Sequence, residues 1–154
     1  MSNSKAKYSA FDTAVYYLTY KARTEKELRD KLSEKGYGLN DIDAAIGKLA
    51  GYGYIDDEGY ALSYIRSKKG KMGSRIIALK LSQKGISRDI IESKLDMADF
   101  DEYSDIKKVL STRYGDLSDL STRRKAQGYM ARRGYAYEDI TNAINSLVKE
   151  DDFF

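Results

Sequence analysis

Between Ser63 and Lys84 the chain carries seven basic residues, Arg66, Lys68, Lys69, Lys71, Arg75, Lys80 and Lys84, and no acidic one. A second cluster, Arg123, Arg124, Lys125, Arg132 and Arg133, follows nearer the C-terminus. Ammonium and guanidinium groups at this density can neutralise phosphates, which gives salt-sensitive, sequence-independent binding to single- or double-stranded DNA. They can also meet an acidic protein surface and steer association. A solvated helix face is the third account of such a run. At the centre of the first cluster RSKKGKMGSR holds two glycines and reads as a flexible basic turn between two helices.

Catalytic chemistry has less to work with. The 154 residues include no histidine and no cysteine, so no imidazole titrates near neutrality and no thiolate serves as nucleophile or metal ligand. No serine sits in a nucleophile elbow, no S-x-x-K spacing stands in a catalytic setting, and no glycine-rich phosphate loop follows a strand. Asp41 and Asp43 in DIDAA, and the pair Asp56 and Asp57, are carboxylates of the type that holds Mg²⁺. Their place at helix starts is already accounted for by capping and the helix dipole. The expectation is a binding protein without a cofactor.

The elements that position the cations repeat. ELRDKLSEKG ends at Gly36, IIALKLSQKG at Gly85 and KAQGYMARRG at Gly134, at equal intervals of 49 residues. In the first frame TEKE fits a capping box, with Thr24 serving the amide of Glu27 and Glu27 reaching back, so a helix starts near Glu25. Leu28 and Leu32 share its apolar face. A glycine after Lys35, Lys84 or Arg133 stops the helix by turning left-handed, beside a cation suited to the negative end of the dipole.

A second helix follows each stop. It is marked by Ile42, Ala45, Ile46 and Leu49, then by Ile90, Ile91 and Leu95, then by Ile140, Ala143, Ile144 and Leu147. An earlier helix in each frame is marked by Phe11, Ala14, Val15 and Leu18, by Tyr60, Ala61, Tyr64 and Ile65, and by Ile106, Val109 and Leu110. Proline is absent, so nothing interrupts them. The expected architecture is all-α, three tandem three-helix repeats over residues 1–56, 57–96 and 97–154, against the alternative of one cooperative helical domain.

Charge and hydropathy complete the reading. The formal net charge is only +3, yet residues 57–95 carry nine Lys/Arg against four Asp/Glu. DMADFDEYSD, residues 96–105, has five acids and no base, and is expected to be a solvated joint. Tyr60 and Tyr64, one turn apart, are expected to pack rather than stack on bases. Tyr52 and Tyr54 in GYGY are expected to pack their rings and keep their hydroxyls wet. No stretch reaches the roughly 20 apolar residues of a membrane span, and the lack of cysteine suits the cytoplasm.

These motifs in this order resemble the RecX family of bacterial RecA regulators. The resemblance rests on Glu27, Leu28, Lys31 and Leu32; on Gly53, Tyr54, Ile55, Asp56 and Asp57; on Tyr60 and Ala61; on Lys69, Gly70, Lys71 and Gly73; and on Leu81, Lys84, Gly85 and Ile86. It is closest over residues 14–95, and the third frame keeps the helix-glycine-helix outline in YMARRGYAYEDITNAI. The resemblance implies tandem three-helix units in an elongated, curved molecule with no catalysis of its own. It further implies a protein lying in the groove of the RecA filament on single-stranded DNA, spanning protomers and restraining ATP hydrolysis, strand exchange and co-protease activity; a monomer is the separate expectation.

Overall fold

The computed structural model describes residues 7–152, and among them every regular element is a helix. These are α1 (Ala10–Tyr20), α2 (Glu25–Glu34), α3 (Leu39–Gly51), α4 (Asp57–Lys68), α5 (Ser74–Gln83), α6 (Arg88–Met97), α7 (Glu102–Arg113), α8 (Leu120–Arg132) and α9 (Tyr137–Asp152). They fall into three tandem three-helix repeats, as the 49-residue period predicts.

The three glycine stops share one geometry. Gly36, Gly85 and Gly134 have φ of 93°, 88° and 91°. At each, the glycine N–H donates three residues back, to Ser33 O, Ser82 O and Ala131 O, and the next residue's N–H reaches back five: Tyr37 to Leu32 O (3.2 Å), Ile86 to Leu81 O (3.1 Å) and Tyr135 to Met130 O (3.3 Å). This double-bonded ending satisfies carbonyls that a helix end otherwise leaves orphaned. Helix starts are equally explicit. Thr24 and Glu27 form the full capping box at α2, Ser9 accepts from Asp12 N at α1, and Asp101 and Asp119 accept from Ser104 N and Thr122 N at α7 and α8.

The chain divides into two compact units, one of residues up to Tyr64 with Leu81–Lys94, the other of Ile65–Lys80 with residues from Leu95 onward. The division passes through α4, α5 and α6, so the middle repeat contributes to both. In the first unit Ala14, Leu28, Leu32, Ile42, Ile46, Leu49 and Ile55 form the core, with Phe11, Val15 and Leu18 packed against it. In the second, Ile106, Leu110, Leu117, Ala126, Met130, Tyr135, Ile140, Ala143 and Ile144 do so. Most belong to the stripes expected from helical spacing; they are joined by Ala126 and Met130 of α8, which those stripes did not include, and by Ile55, Leu117 and Tyr135, which lie outside helices. Tyr52 and Tyr54 lie 5.6 Å apart ring to ring and remain largely exposed.

Candidate partner-binding surface

Each unit contains a junction in which one helix start meets the glycine stop of a helix roughly a repeat later. In the first unit Thr24, fully buried, accepts from Glu27 N (3.2 Å) and donates its hydroxyl to Lys84 O (2.6 Å). The next amide, Glu25 N, donates to Asp57 Oδ1 (3.0 Å). Gly85 fits because it has no side chain: a Cβ there would lie 2.3 Å from Lys26 Cβ.

In the second unit Gly73 occupies the position 49 residues after Thr24, and its N–H donates to Arg133 O (2.7 Å). Ser74 N donates to Glu102 Oε1 (2.6 Å). A Cβ on Gly73 would lie 2.2 Å from Gly134 O, and one on Gly134 would lie 2.6 Å from Ile76 Cγ1. The two junctions share a plan: a donor at the helix start caps the carbonyl before the glycine, and a carboxylate from the first turn of the next repeat caps the following amide.

The acidic pair of the GYIDD motif is thereby explained. Asp56 accepts from Gly59 N (3.0 Å) at the start of α4 while Asp57 serves α2. Burial raises the Asp57 carboxyl above its ordinary value, opposed by the Glu25 N–H. Among the described residues no group of three or more His, Cys, Asp or Glu is placed to hold a metal ion.

The basic residues separate into two kinds. Some are engaged within the fold. Lys69 Nζ donates to Ala98 O and Asp99 O, both at 2.9 Å. Lys84 Nζ lies 3.9 Å from Glu27 Oε2 and within 5.9 Å and 5.8 Å of the Tyr60 and Tyr64 ring centroids. Those rings are stacked at an interplanar angle of 11°. Burial pulls the Lys84 ammonium down, and its bond to Tyr60 with the nearby Glu27 charge more than offsets this, so its pKa rises.

Arg123 donates to Leu117 O (2.7 Å) and Ser118 O (2.8 Å), holding the α7–α8 loop. Arg133 Nε donates to Lys71 O (3.0 Å). Arg66, Lys71, Arg75, Arg124, Lys125 and Arg132 are exposed, Lys68 and Lys80 half-buried.

Two expectations give way here. The turn RSKKGKMGSR is not a loose loop, since Gly73 N and Lys71 O are both bonded to Arg133. Residues 96–105 are not simply a solvated acidic joint: Ala98 is buried, two carbonyls take the Lys69 ammonium, and Glu102 caps α5. Local like charge is offset by a cation and an amide that lie about 30 residues away in sequence. The same region holds Asp105, whose Oδ2 is buried without a partner among the described residues, as is the Tyr135 hydroxyl. Burial raises Asp105, with Lys69 opposing, and pushes Tyr135 up to about 12 with help from Asp105.

Sequence reasoning passed over Lys107, Lys108 and Arg113. From Ile106 to Ala136 eight Lys/Arg stand against two Asp, a denser positive balance than in the middle repeat. The signal was present in the charge count alone.

Fold and surface together define a class: an all-helical tandem-repeat protein whose exposed cations are carried on helices locked by glycine-stop junctions. Comparison with known proteins makes this particular. The model for the first three-helix domain of RecX matches residues 10–49, and that for the second matches residues 56–95. The chain belongs to the RecX family.

"Regulatory protein RecX" of Clostridium botulinum (strain Alaska E43 / Type E3) is 30% identical over 154 residues, covering 96% of this chain and 73% of that protein. The Streptococcus gordonii protein of the same name is 32% identical over 143 residues, and the match spans 55% of its length. A crystal structure of RecX from Lactobacillus salivarius superposes with a TM-score of 0.78 at 30% identity, covering 90% of this chain and 94% of that one. No described helix is long and apolar enough to cross a membrane.

Proposed function

We propose that this chain is a non-enzymatic regulator of homologous recombination and repair that binds the RecA filament on single-stranded DNA in the cytoplasm. It restrains the filament's ATPase and strand exchange. The observation that carries the reading is the family match across both the first and the second three-helix domains. The three repeats, at 1–56, 57–96 and 97–154, act as successive contacts, and each added contact raises the effective concentration of the next.

Within this reading Arg66, Lys71, Arg75 and Lys80 are the contact cations of the middle repeat. Lys69, Lys84, Arg123 and Arg133 contribute by holding the surface in shape.

Co-sedimentation with RecA assembled on single-stranded DNA tests the proposal at about 0.15 M salt, where exposed charges more than roughly 8 Å apart are largely screened. The chain is expected to pellet with the filament, and the variant with Arg66, Lys71, Arg75 and Lys80 changed to Glu to remain in solution with its helicity intact. Equal pelleting of both proteins would overturn the assignment of these residues. Retention of the chain by naked DNA alone would instead favour a free-standing DNA-binding protein.

A further inference from the structure

The third repeat carries a cavity of about 640 Å³ that none of the contacts above uses. Arg113 and Tyr114, at the end of α7, form one wall; Arg124, Lys125, Gly128, Tyr129 and Arg132 of α8 form the other. Its four cationic residues, all exposed, face it without any acidic lining residue. Arg124, Gly128 and Arg132 are spaced one turn apart, so they share a helix face. Gly128 is disfavoured in a helix interior; here it leaves the floor clear, since a Cβ at this position would meet only the Arg132 guanidinium, at 3.1 Å.

The cavity is also aromatic. The Arg113 guanidinium carbon lies over the Tyr129 ring at 4.1 Å from its centroid, and Tyr114 meets Tyr129 in a T-shaped contact at 6.2 Å. Arg133 lies over the same ring at 5.1 Å, which helps fix the tyrosine. A planar cation held against a ring is a stacking platform for a base, and flanking ammonium and guanidinium groups hold the phosphates of the strand that carries it.

We propose that this cavity binds single-stranded nucleic acid, with a base stacked on the Arg113–Tyr129 platform and its flanking phosphates held by Arg124, Lys125 and Arg132. A duplex offers phosphates with its bases turned inward, so it uses only half of the site. An acidic peptide offers charge but no flat ring, and leaves the platform unused. The inference rests on the filament reading in taking a single strand as the ligand in the cell.

The test uses the full chain, without a recombinase, and the fluorescence anisotropy of a labelled 20-mer of thymidine. An abasic 20-mer carrying the same phosphates is compared with it. The thymidine strand is expected to bind about tenfold more tightly than the abasic one, within the range of base–aromatic stacking. Arg113→Lys keeps the charge but loses the plane, and is expected to abolish that preference with the salt dependence unchanged. Arg124→Ala with Arg132→Ala removes two phosphate contacts, and should reduce the slope of log K against log salt by about 1.4.

Equal binding of the two strands by the native protein would overturn the proposal, as would wild-type behaviour of both variants. Competition by a 20-residue polyglutamate as effective as that by thymidine would overturn it too, and assign the cavity to an acidic peptide. Because no recombinase is present, failure here leaves the co-sedimentation result untouched, and failure there leaves this one standing.

Discussion

Replacing Thr24 by valine removes a hydroxyl and leaves the shape of the side chain almost unchanged, which isolates the hydrogen bonds of the first junction. Thr24 is fully buried. Its hydroxyl oxygen accepts the Glu27 N–H at 3.2 Å and donates to Lys84 O at 2.6 Å. Loss of an N-cap costs about 1 kcal/mol. Leaving the Lys84 carbonyl without its donor costs about 1–3 kcal/mol more. The sum is about 3 kcal/mol, and at about 2–4 °C per kcal/mol for a chain of this size it lowers Tm by about 6–12 °C.

Thr24→Ser supplies the comparison, because it keeps both hydrogen bonds and gives up one methyl group, worth about 0.8 kcal/mol. Thermal and urea unfolding followed by circular dichroism measure both variants. If the valine variant unfolds with or above the serine variant, the hydroxyl does not close the junction and the reasoning fails.

Alanine at Gly134 should destabilise by about 2 kcal/mol or more, since it forces a left-handed φ of 91° on an alanine and drives its Cβ into Ile76. Gly47→Ala is its opposite: the site lies inside α3 with nothing within 4 Å, so the same chemical change should stabilise by about 0.5–1 kcal/mol. Equal Tm shifts for the two, by differential scanning calorimetry, would contradict the account of the stops. Asp105→Asn should raise Tm at pH 7. Burial raises the folded-state pKa of Asp105, so the group's contribution is fullest when protonated and is lost as pH rises through that pKa. The advantage of the asparagine variant should therefore shrink as pH falls through that raised pKa and be gone by about pH 4, the ordinary value that governs the unfolded chain. A pH-independent difference would count against the buried carboxyl. Lys69→Ala should lower Tm, because two carbonyls lose their 2.9 Å donor; an unchanged Tm would return Lys69 to the freely available surface.

What could be read from the sequence is what local physics decides. Gly36, Gly85 and Gly134 follow a cation and a helical stripe, and a left-handed stop depends on little else. Leu28 and Leu32, or Ile42 and Ile46, declare their burial by spacing alone. The Thr24–Glu27 box spans four residues and was legible for the same reason. What escaped is set by partners far along the chain. The hydroxyl of Thr24 also serves a carbonyl 60 residues away, and Arg133 serves one 62 residues away. Nothing in RSKKGKMGSR reveals that Arg133 holds its backbone, and nothing in DMADFDEYSD reveals that Lys69 and Ser74 N answer its carbonyls and carboxylates. A count of charge identifies a basic segment; only the fold separates the cations that build the surface from those that remain available to a partner.

The central claim, regulation exerted on the recombinase filament, is tested most directly by the steady-state ATPase of RecA on single-stranded DNA. The chain is titrated below one copy per recombinase protomer, with its binding to naked DNA measured in the same buffer. The account predicts that ATP hydrolysis falls at concentrations too low to coat the DNA, and that the Arg66, Lys71, Arg75 and Lys80 to Glu variant has lost the effect. Unchanged hydrolysis up to one copy per protomer, alongside tight, salt-sensitive binding to naked DNA, would contradict it.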